Sequence, residues 1–236
     1  MSSVQKMKNE VAVNIAEVRV RIAEAAQRAG RKPEEITLIA VTKTVEPARI
    51  AEAYQAGVRD FGENYVQESL TKIGHPPLVF PDIRWHFIGH LQSNKAKEVV
   101  GHFVLIQSVD SLSLAKELAR RASQAGIVMD TLLEVKLDPN ATKFGLTPDT
   151  ALEVADQISQ LSGAHVSGLM GMAPYSPNQE EARPFFRQLH TLFSQLPPES
   201  QQILSMGMSG DFEVAIAEGA THIRIGTALF GSRLIT

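Results

Sequence analysis

A closed parallel barrel of the (β/α)₈ class is the fold this sequence predicts, and three observations predict it. Short apolar runs rich in strand formers alternate along the whole chain with segments of helical period. Those runs number eight, and each is followed by a helix or a helical start, the sequence form of a parallel sheet with right-handed crossovers. The length of 236 residues is close to the ~250 at which such barrels fold as one unit. A doubly wound open sheet would alternate in the same way, and the count of eight favours closure. No linker, low-complexity stretch or break in composition interrupts residues 1–236, which therefore read as a single domain.

Met7, Val11, Ile15, Val18 and Ile22 share one helical face, so about Val4 to Ala29 forms an extra N-terminal helix, within residues 1–30, that packs on the barrel and ends at Gly30. Strand one is the apolar run 36–41, too short for a buried helix. A helix from Pro47 to Ala56 leads to a strand near Val58 to Glu63, and a helix from Tyr65 to Ile73 leads, through a Pro-rich loop, to a strand from Trp85 to Ile88. Helices Ser93 to Val100 and Leu112 to Ala125 precede strands Val104 to Val109 and Thr131 to Leu137. Thr147-Pro148 supplies an N-cap and an N1 proline for a helix to about Leu161. Strand His165 to Gly171, helix Gln179 to Gln195, strand Ile203 to Met208, a short helix to Ala217 and strand His222 to Gly226 complete the pattern.

Composition narrows the function. With 23 Lys+Arg against 26 Asp+Glu there is no basic excess to bind a nucleic-acid backbone. The chain has no cysteine, which excludes disulfides, thiolate metal sites and cysteine nucleophiles. No run approaches the ~18 apolar residues of a membrane span, and no apolar signal core opens the chain, so a cytoplasmic protein is expected. The glycosylation-like triplet 140–142 is read as coincidental in that setting.

In a barrel, working residues lie at the carboxyl ends of strands, and phosphate is held by the loops after strands seven and eight. Lys43 ends strand one with the parity of Ile39 and Val41, so its side chain can enter the mouth, where a desolvated amine is nucleophilic toward an aldehyde. It can equally be the first solvated residue after a strand. After strand seven come the small residues 205–211, including Met208 and Ser209, opening a helix whose first N–H groups can bind an anion. After strand eight come Arg224, Ile225, Gly226 and Thr227, where glycine permits close backbone approach and threonine adds a donor. A lysine and a phosphate cradle so disposed suit the two ends of pyridoxal 5′-phosphate (PLP).

Several motifs in one order strengthen this reading: residues 40–44 (AVTKT), 61–68 (FGENYVQE), 85–89 (WHFIG), 91–95 (LQSNK), 168–172 (GLMGM), 206–209 (MGMS) and 224–227 (RIGT). Through them the chain resembles the pyridoxal phosphate homeostasis proteins, the YggS family, whose barrel is shared with the N-terminal domain of alanine racemases. The resemblance implies that Lys43 forms the internal aldimine, that Ser209, Gly226 and Thr227 bind the phosphate, and that Arg224 lies beside the pyridine nitrogen. It also implies that Asn64 and His86 face the cofactor and that Met208 neighbours the ring or phosphate. Family members often carry a second lysine where this chain has Val45, and the segment 135–145 departs from the family pattern except at Lys143 and Gly145.

Plainer readings stand beside these. His86 and His90 flank Gly89 at a strand end, a spacing that does not converge two metal ligands, and no metal is expected. His86 serves equally as a packed core residue. Asp211 and Glu213 suit the dipole of a helix start, Met170, Met172, Met206 and Met208 suit barrel filling, and Asn64 suits an N-cap. Arg224 can instead bind a phosphate or pair with Glu63 or Asp211.

An arginine at the ring nitrogen disfavours a protonated pyridine, the electron sink that carbanion chemistry uses. Racemases of this barrel carry a second, β-rich domain that supplies an opposing tyrosine, for which these 236 residues leave no room; Tyr54, Tyr65 and Tyr175 lie within barrel elements. The sequence thus predicts a monomeric, non-enzymatic PLP carrier that buffers the cofactor or delivers it to PLP-dependent apoenzymes. An amino-acid racemase and a cofactor-free Schiff-base aldolase are the alternatives, and Tyr175, which follows strand six, leaves room for weak one-base chemistry.

Overall fold

The computed structural model describes residues 10–138 and 144–231. The start of the N-terminal helix, Met7, the triplet 140–142 and Lys143 lie outside the described residues. Eight strands close into one barrel in chain order: β1 (Thr37–Val41), β2 (Asp60–Glu63), β3 (Arg84–Phe87), β4 (Leu105–Val109), β5 (Met129–Val135), β6 (Ala164–Gly171), β7 (Ile203–Ser205) and β8 (His222–Ile225). Every adjacent pair is parallel, and β1 meets β8 with Ile39 opposite Arg224.

The helices on the outside are α1 (Glu10–Arg28), α2 (Pro47–Gln55), α3 (Val66–Lys72), α4 (Ala96–Val99), α5 (Leu112–Gln124), α6 (Pro148–Ser159), α7 (Arg183–Phe193), α8 (Phe212–Ala217) and α9 (Thr227–Phe230). Boundaries follow local chemistry. Ser111 and Thr147 accept the N–H groups of Leu114 and Thr150 and so cap α5 and α6, with Pro148 at the first helical position of α6. The helices expected over 93–100 and 179–195 each begin as a short 3₁₀ turn, at Ser93–Lys95 and Gln179–Ala182. The strand expected to reach Met208 stops at Ser205, and the chain turns over residues 209–211 before α8.

Strand periodicity separates two cores. Outward positions such as Ala40, Phe61, Phe87, Ile106, Leu133, Leu169, Leu204 and Ile223 pack against the helices in one continuous apolar layer. Inward positions Leu105, Leu132 and Met170, with Met172 and Ile203, form a smaller cluster inside the barrel. α1 buries Val11, Ile15, Val18 and Ile22 on the outer layer, each large side chain contributing roughly 1.5–3 kcal/mol. The packing is against α8, α9 and α2, over the seam where β8 meets β1. Polar contacts fix its register: Arg21 pairs with Glu213 at 2.6 Å, and Asn14 Nδ2 donates to the Leu229 carbonyl.

Candidate functional site

Lys43 follows β1 by two residues and lies in a tight turn with Thr44, leaving the strand with the inward parity of Ile39 and Val41; it is half-buried. Closure of β8 onto β1 brings the loop after β8 directly beside it. An atom built as Cβ on Gly226 would lie 3.5 Å from Val41 Cβ. The lysine turn and the loop after β8 are therefore neighbours across one strand pair, on the rim where barrel chemistry is found.

The loops after β7 and β8 are tied together at the serine, since Ala228 N–H donates to Ser209 Oγ over 3.3 Å. That bond leaves the serine proton for another acceptor. Thr227 is exposed, and Gly226 and Ser209 are half-buried. Gly226 has φ −116°, which any residue adopts, and a side-chain atom there would meet only ordinary contacts. Among the described residues other than its two chain neighbours, none stands closer than 3.5 Å to a side-chain atom built on this glycine. Met208 is half-buried, and its N–H is already taken by Asp211 Oδ1 at 2.6 Å. Burial raises the Asp211 carboxyl pKa, against that N–H and the nearby Arg224. Asp211 thus shapes the loop, and Glu213 is spent on α1.

Asn64 does not cap α3: the cap position is Tyr65. Its Oδ1 is buried with no hydrogen-bond partner, a polar atom awaiting a donor. A Cβ on Gly89 would lie 2.1 Å from the Asn64 carbonyl oxygen, so only glycine lets the end of β3 press against Asn64 and hold it at the mouth.

Arg224 is buried on the inward face of β8. Its Nη1 donates to Ser205 Oγ at 2.6 Å and its Nη2 to the Gly171 carbonyl at 3.0 Å. Burial pushes its pKa down to about 10, opposed by Glu134 and Asp211, so it is a cation at neutral pH. Of the partners expected from sequence, Glu63 is excluded because it faces the helices, where Lys72 holds it at 2.8 Å. Asp211 acts on Arg224 only through its charge.

Behind Arg224 runs a chain of hydrogen bonds through the barrel. Ser205 Oγ donates to Gln107 Oε1 at 2.7 Å, Gln107 Nε2 meets His86 Nδ1 at 3.2 Å, and His86 Nε2 meets Asp60 Oδ1 at 2.9 Å. Gln107 Nε2 can only donate, so His86 Nδ1 accepts and the proton lies on Nε2, facing the carboxylate. Burial would raise the Asp60 pKa, but His86 and Arg84 hold it down at about 2. His86, expected from the resemblance to face the cofactor, is a member of this chain of hydrogen bonds. Both of its ring nitrogens are engaged inside the barrel, three hydrogen bonds behind Arg224, and the packed reading fits. His90 pairs with Asp110 at 3.1 Å and stacks on Phe144.

A cavity of about 420 Å³ lies at the other end of the barrel, lined by Arg19, Glu34, Arg59 and Arg84, and one of about 230 Å³ by Asp60, His86, Asp130 and His222. Both sit at the amino ends of the strands. Barrel chemistry belongs to the carboxyl ends, so the rim around Lys43 is the candidate site in spite of these two cavities. Sequence reasoning missed Gln107 and Asp60, and placed Ser205 in the loop after strand seven, not as a partner of Arg224. The signal was present, since each is a polar residue at an inward strand position where an apolar one would fill the barrel.

A half-buried lysine after the first strand, small-residue loops after the last two strands and a buried arginine on the inward face of the last strand belong to one closed (β/α)₈ barrel. The family model for the alanine racemase N-terminal domain matches residues 13–234. The pyridoxal phosphate homeostasis protein of Aquifex aeolicus is 45% identical over 222 residues, covering 93% of this chain and 96% of the relative. PipY of Synechococcus elongatus, solved with PLP bound, is 41% identical, covers 94% of this chain and 100% of its own, and superposes with a TM-score of 0.82. The chain belongs to the pyridoxal phosphate homeostasis protein family, within the alanine racemase N-terminal-domain fold. A histidine racemase of Leuconostoc mesenteroides, 16% identical with a TM-score of 0.74 over 95% of this chain and 58% of its own, shares the fold alone.

Proposed function

We propose that this chain binds pyridoxal 5′-phosphate, covalently attached through Lys43, and serves intracellular PLP homeostasis by buffering or delivering the cofactor. The observation that carries the reading is the rim itself: Lys43 beside a glycine that the backbone does not need, a serine with a proton to donate, and an asparagine oxygen buried without a partner. These features fit PLP. Ser209, Gly226 and Thr227 would hold the phosphate, Arg224 would face the ring nitrogen, Asn64 would offer Oδ1 to a donor, and Met208 would flank the ligand. When bound, PLP supplies an aldehyde that condenses with an amine.

The protein side explains why holding suits this site better than turnover. Arg224, cationic and fixed on Ser205 and Gly171, disfavours a protonated ring. Tyr175, the candidate for one-base chemistry, is 91% exposed and so is open to water. The reading is of a carrier without strong catalytic activity that passes PLP to PLP-dependent apoenzymes, as a cytoplasmic monomer. Among the described residues no helix is long and apolar enough to cross a membrane.

Borohydride reduction of the PLP-loaded protein followed by peptide mass mapping tests the assignment. The expected result is a pyridoxyl label on the Lys43 peptide that is absent from Lys43→Ala. Label recovered mainly on Lys95 or Lys143 overturns the site, and amino-acid turnover at ordinary enzyme rates overturns the carrier role.

A further inference from the structure

Behind the Lys43 turn lies a group of charges that the ligand reading does not use. Thr44 has φ +60°, a left-handed conformation that a β-branched residue seldom adopts and that must be held by its surroundings. Its N–H donates to Glu68 Oε1 at 2.6 Å. On the other side of Lys43, the Thr42 carbonyl accepts from Lys72 Nζ at 2.7 Å. Lys72 Nζ also donates to Glu68 Oε1 at 2.6 Å and to Glu63 Oε1 at 2.8 Å, and the Thr42 hydroxyl donates to Glu63 Oε1 at 2.6 Å. Glu63 and Lys72 side chains are 0% and 5% exposed. Charges buried this deeply are a weak source of stability, because desolvation offsets their attraction. What they do here is local: Lys72 grips the peptide before Lys43, Glu68 grips the peptide after it, and α3 carries both.

We infer that Glu68 and Lys72 are positioning residues for Lys43, clamping residues 42–44 so that the lysine amine meets the aldehyde of a ligand whose phosphate is held separately by the loops after β7 and β8. The inference rests on the proposed capture of PLP by Lys43. In that capture the nitrogen bonds the aldehyde carbon and the aldehyde oxygen leaves as water. The clamp touches neither ligand nor cradle, so it governs the covalent step without governing anion binding.

The test separates those two steps. Pyridoxine 5′-phosphate has the same ring and phosphate with an alcohol in place of the aldehyde, so its affinity reports the cradle alone. The rate of PLP capture, read by absorbance and by borohydride trapping, reports Lys43. For Glu68→Ala, capture is expected to slow at least tenfold while pyridoxine 5′-phosphate affinity stays within twofold of the parent. Glu68→Gln, whose amide oxygen still accepts the Thr44 N–H, is expected to recover most of the rate.

Capture at the parent rate in Glu68→Ala overturns the inference. So does an equal loss of capture and pyridoxine 5′-phosphate affinity, or a Gln variant no faster than the Ala variant, since either marks general disruption. If the parent chain takes no label at Lys43, the functional reading falls as well, and that failure appears before any variant is made.

Discussion

Replacing Gly226 with alanine should move stability and ligand affinity in opposite directions. The added methyl carbon would sit 3.5 Å from Val41 Cβ and 3.7 Å from the Val41 carbonyl oxygen, ordinary contact distances, at a φ of −116°. The folded state is therefore not strained, and narrowing the unfolded ensemble stabilises the ligand-free protein by about 0.4–1 kcal/mol. The methyl occupies the space through which a phosphate at this position would reach the backbone. Loss of one charge-assisted hydrogen bond costs about 1.5–3 kcal/mol, or about ten- to a hundredfold in affinity. Thermal melting of the ligand-free variant checks the first quantity, and titration with PLP and with pyridoxine 5′-phosphate checks the second. Unchanged affinity would refute the placement of the phosphate at Gly226. A variant that melts lower than its parent would refute the claim that the chain itself has no use for this glycine.

Three further outcomes follow from the interior. Burial, with His86 adding to it, pulls the His222 pKa down to about 4, so the ring is neutral when folded and takes up protons on unfolding. The stability tied to this neutrality is complete above the ordinary histidine range and is lost as pH falls toward about 4; His222→Gln should flatten unfolding free energy across that window, measured by urea titration at stepped pH. Lys72→Met leaves Glu63 buried without its cation and should cost about 3–5 kcal/mol in denaturant unfolding, with Glu63→Gln in the same chain restoring most of it. Ser205→Ala removes partners from both Arg224 and Gln107 and should cost about 1–3 kcal/mol; an unchanged melt would show that the interior chain of hydrogen bonds is not structural.

The barrel was legible because its elements announce themselves locally. β1 and β6 are short apolar runs, α6 opens on Thr147-Pro148, and α1 shows its buried stripe at Val11, Ile15, Val18 and Ile22. Lys43, Ser209, Gly226 and Thr227 are candidates through position, since strand ends and following loops are where barrels bind. The hydrogen bonds of His86 were not legible, because a motif gives a residue's neighbours in the chain and not its level inside the barrel. Two residues of equal inward parity, Arg224 and His86, end up three hydrogen bonds apart in depth. The Glu63, Glu68 and Lys72 cluster went unseen as a unit. Glu68 and Lys72 look like an ordinary surface pair on a helix, and nothing local says that α3 presses them against the turn after β1.

The linear order of residues determined by itself that eight buried strands alternate with helices, that the chain carries no thiol chemistry, and that an amine and two small-residue turns fall at strand ends. These depend on periodicity, composition and backbone preference, which act over a few residues. Only the closed tertiary structure decided that β8 lies against β1 and brings Gly226 beside the lysine turn. It alone decided that Arg224 is anchored by Ser205 and Gly171, and that one carboxylate and one ammonium brace the backbone on either side of Lys43. Those contacts join residues from about 20 to almost 200 positions apart, and their geometry is set by barrel closure and by the close packing of helices on its outer face.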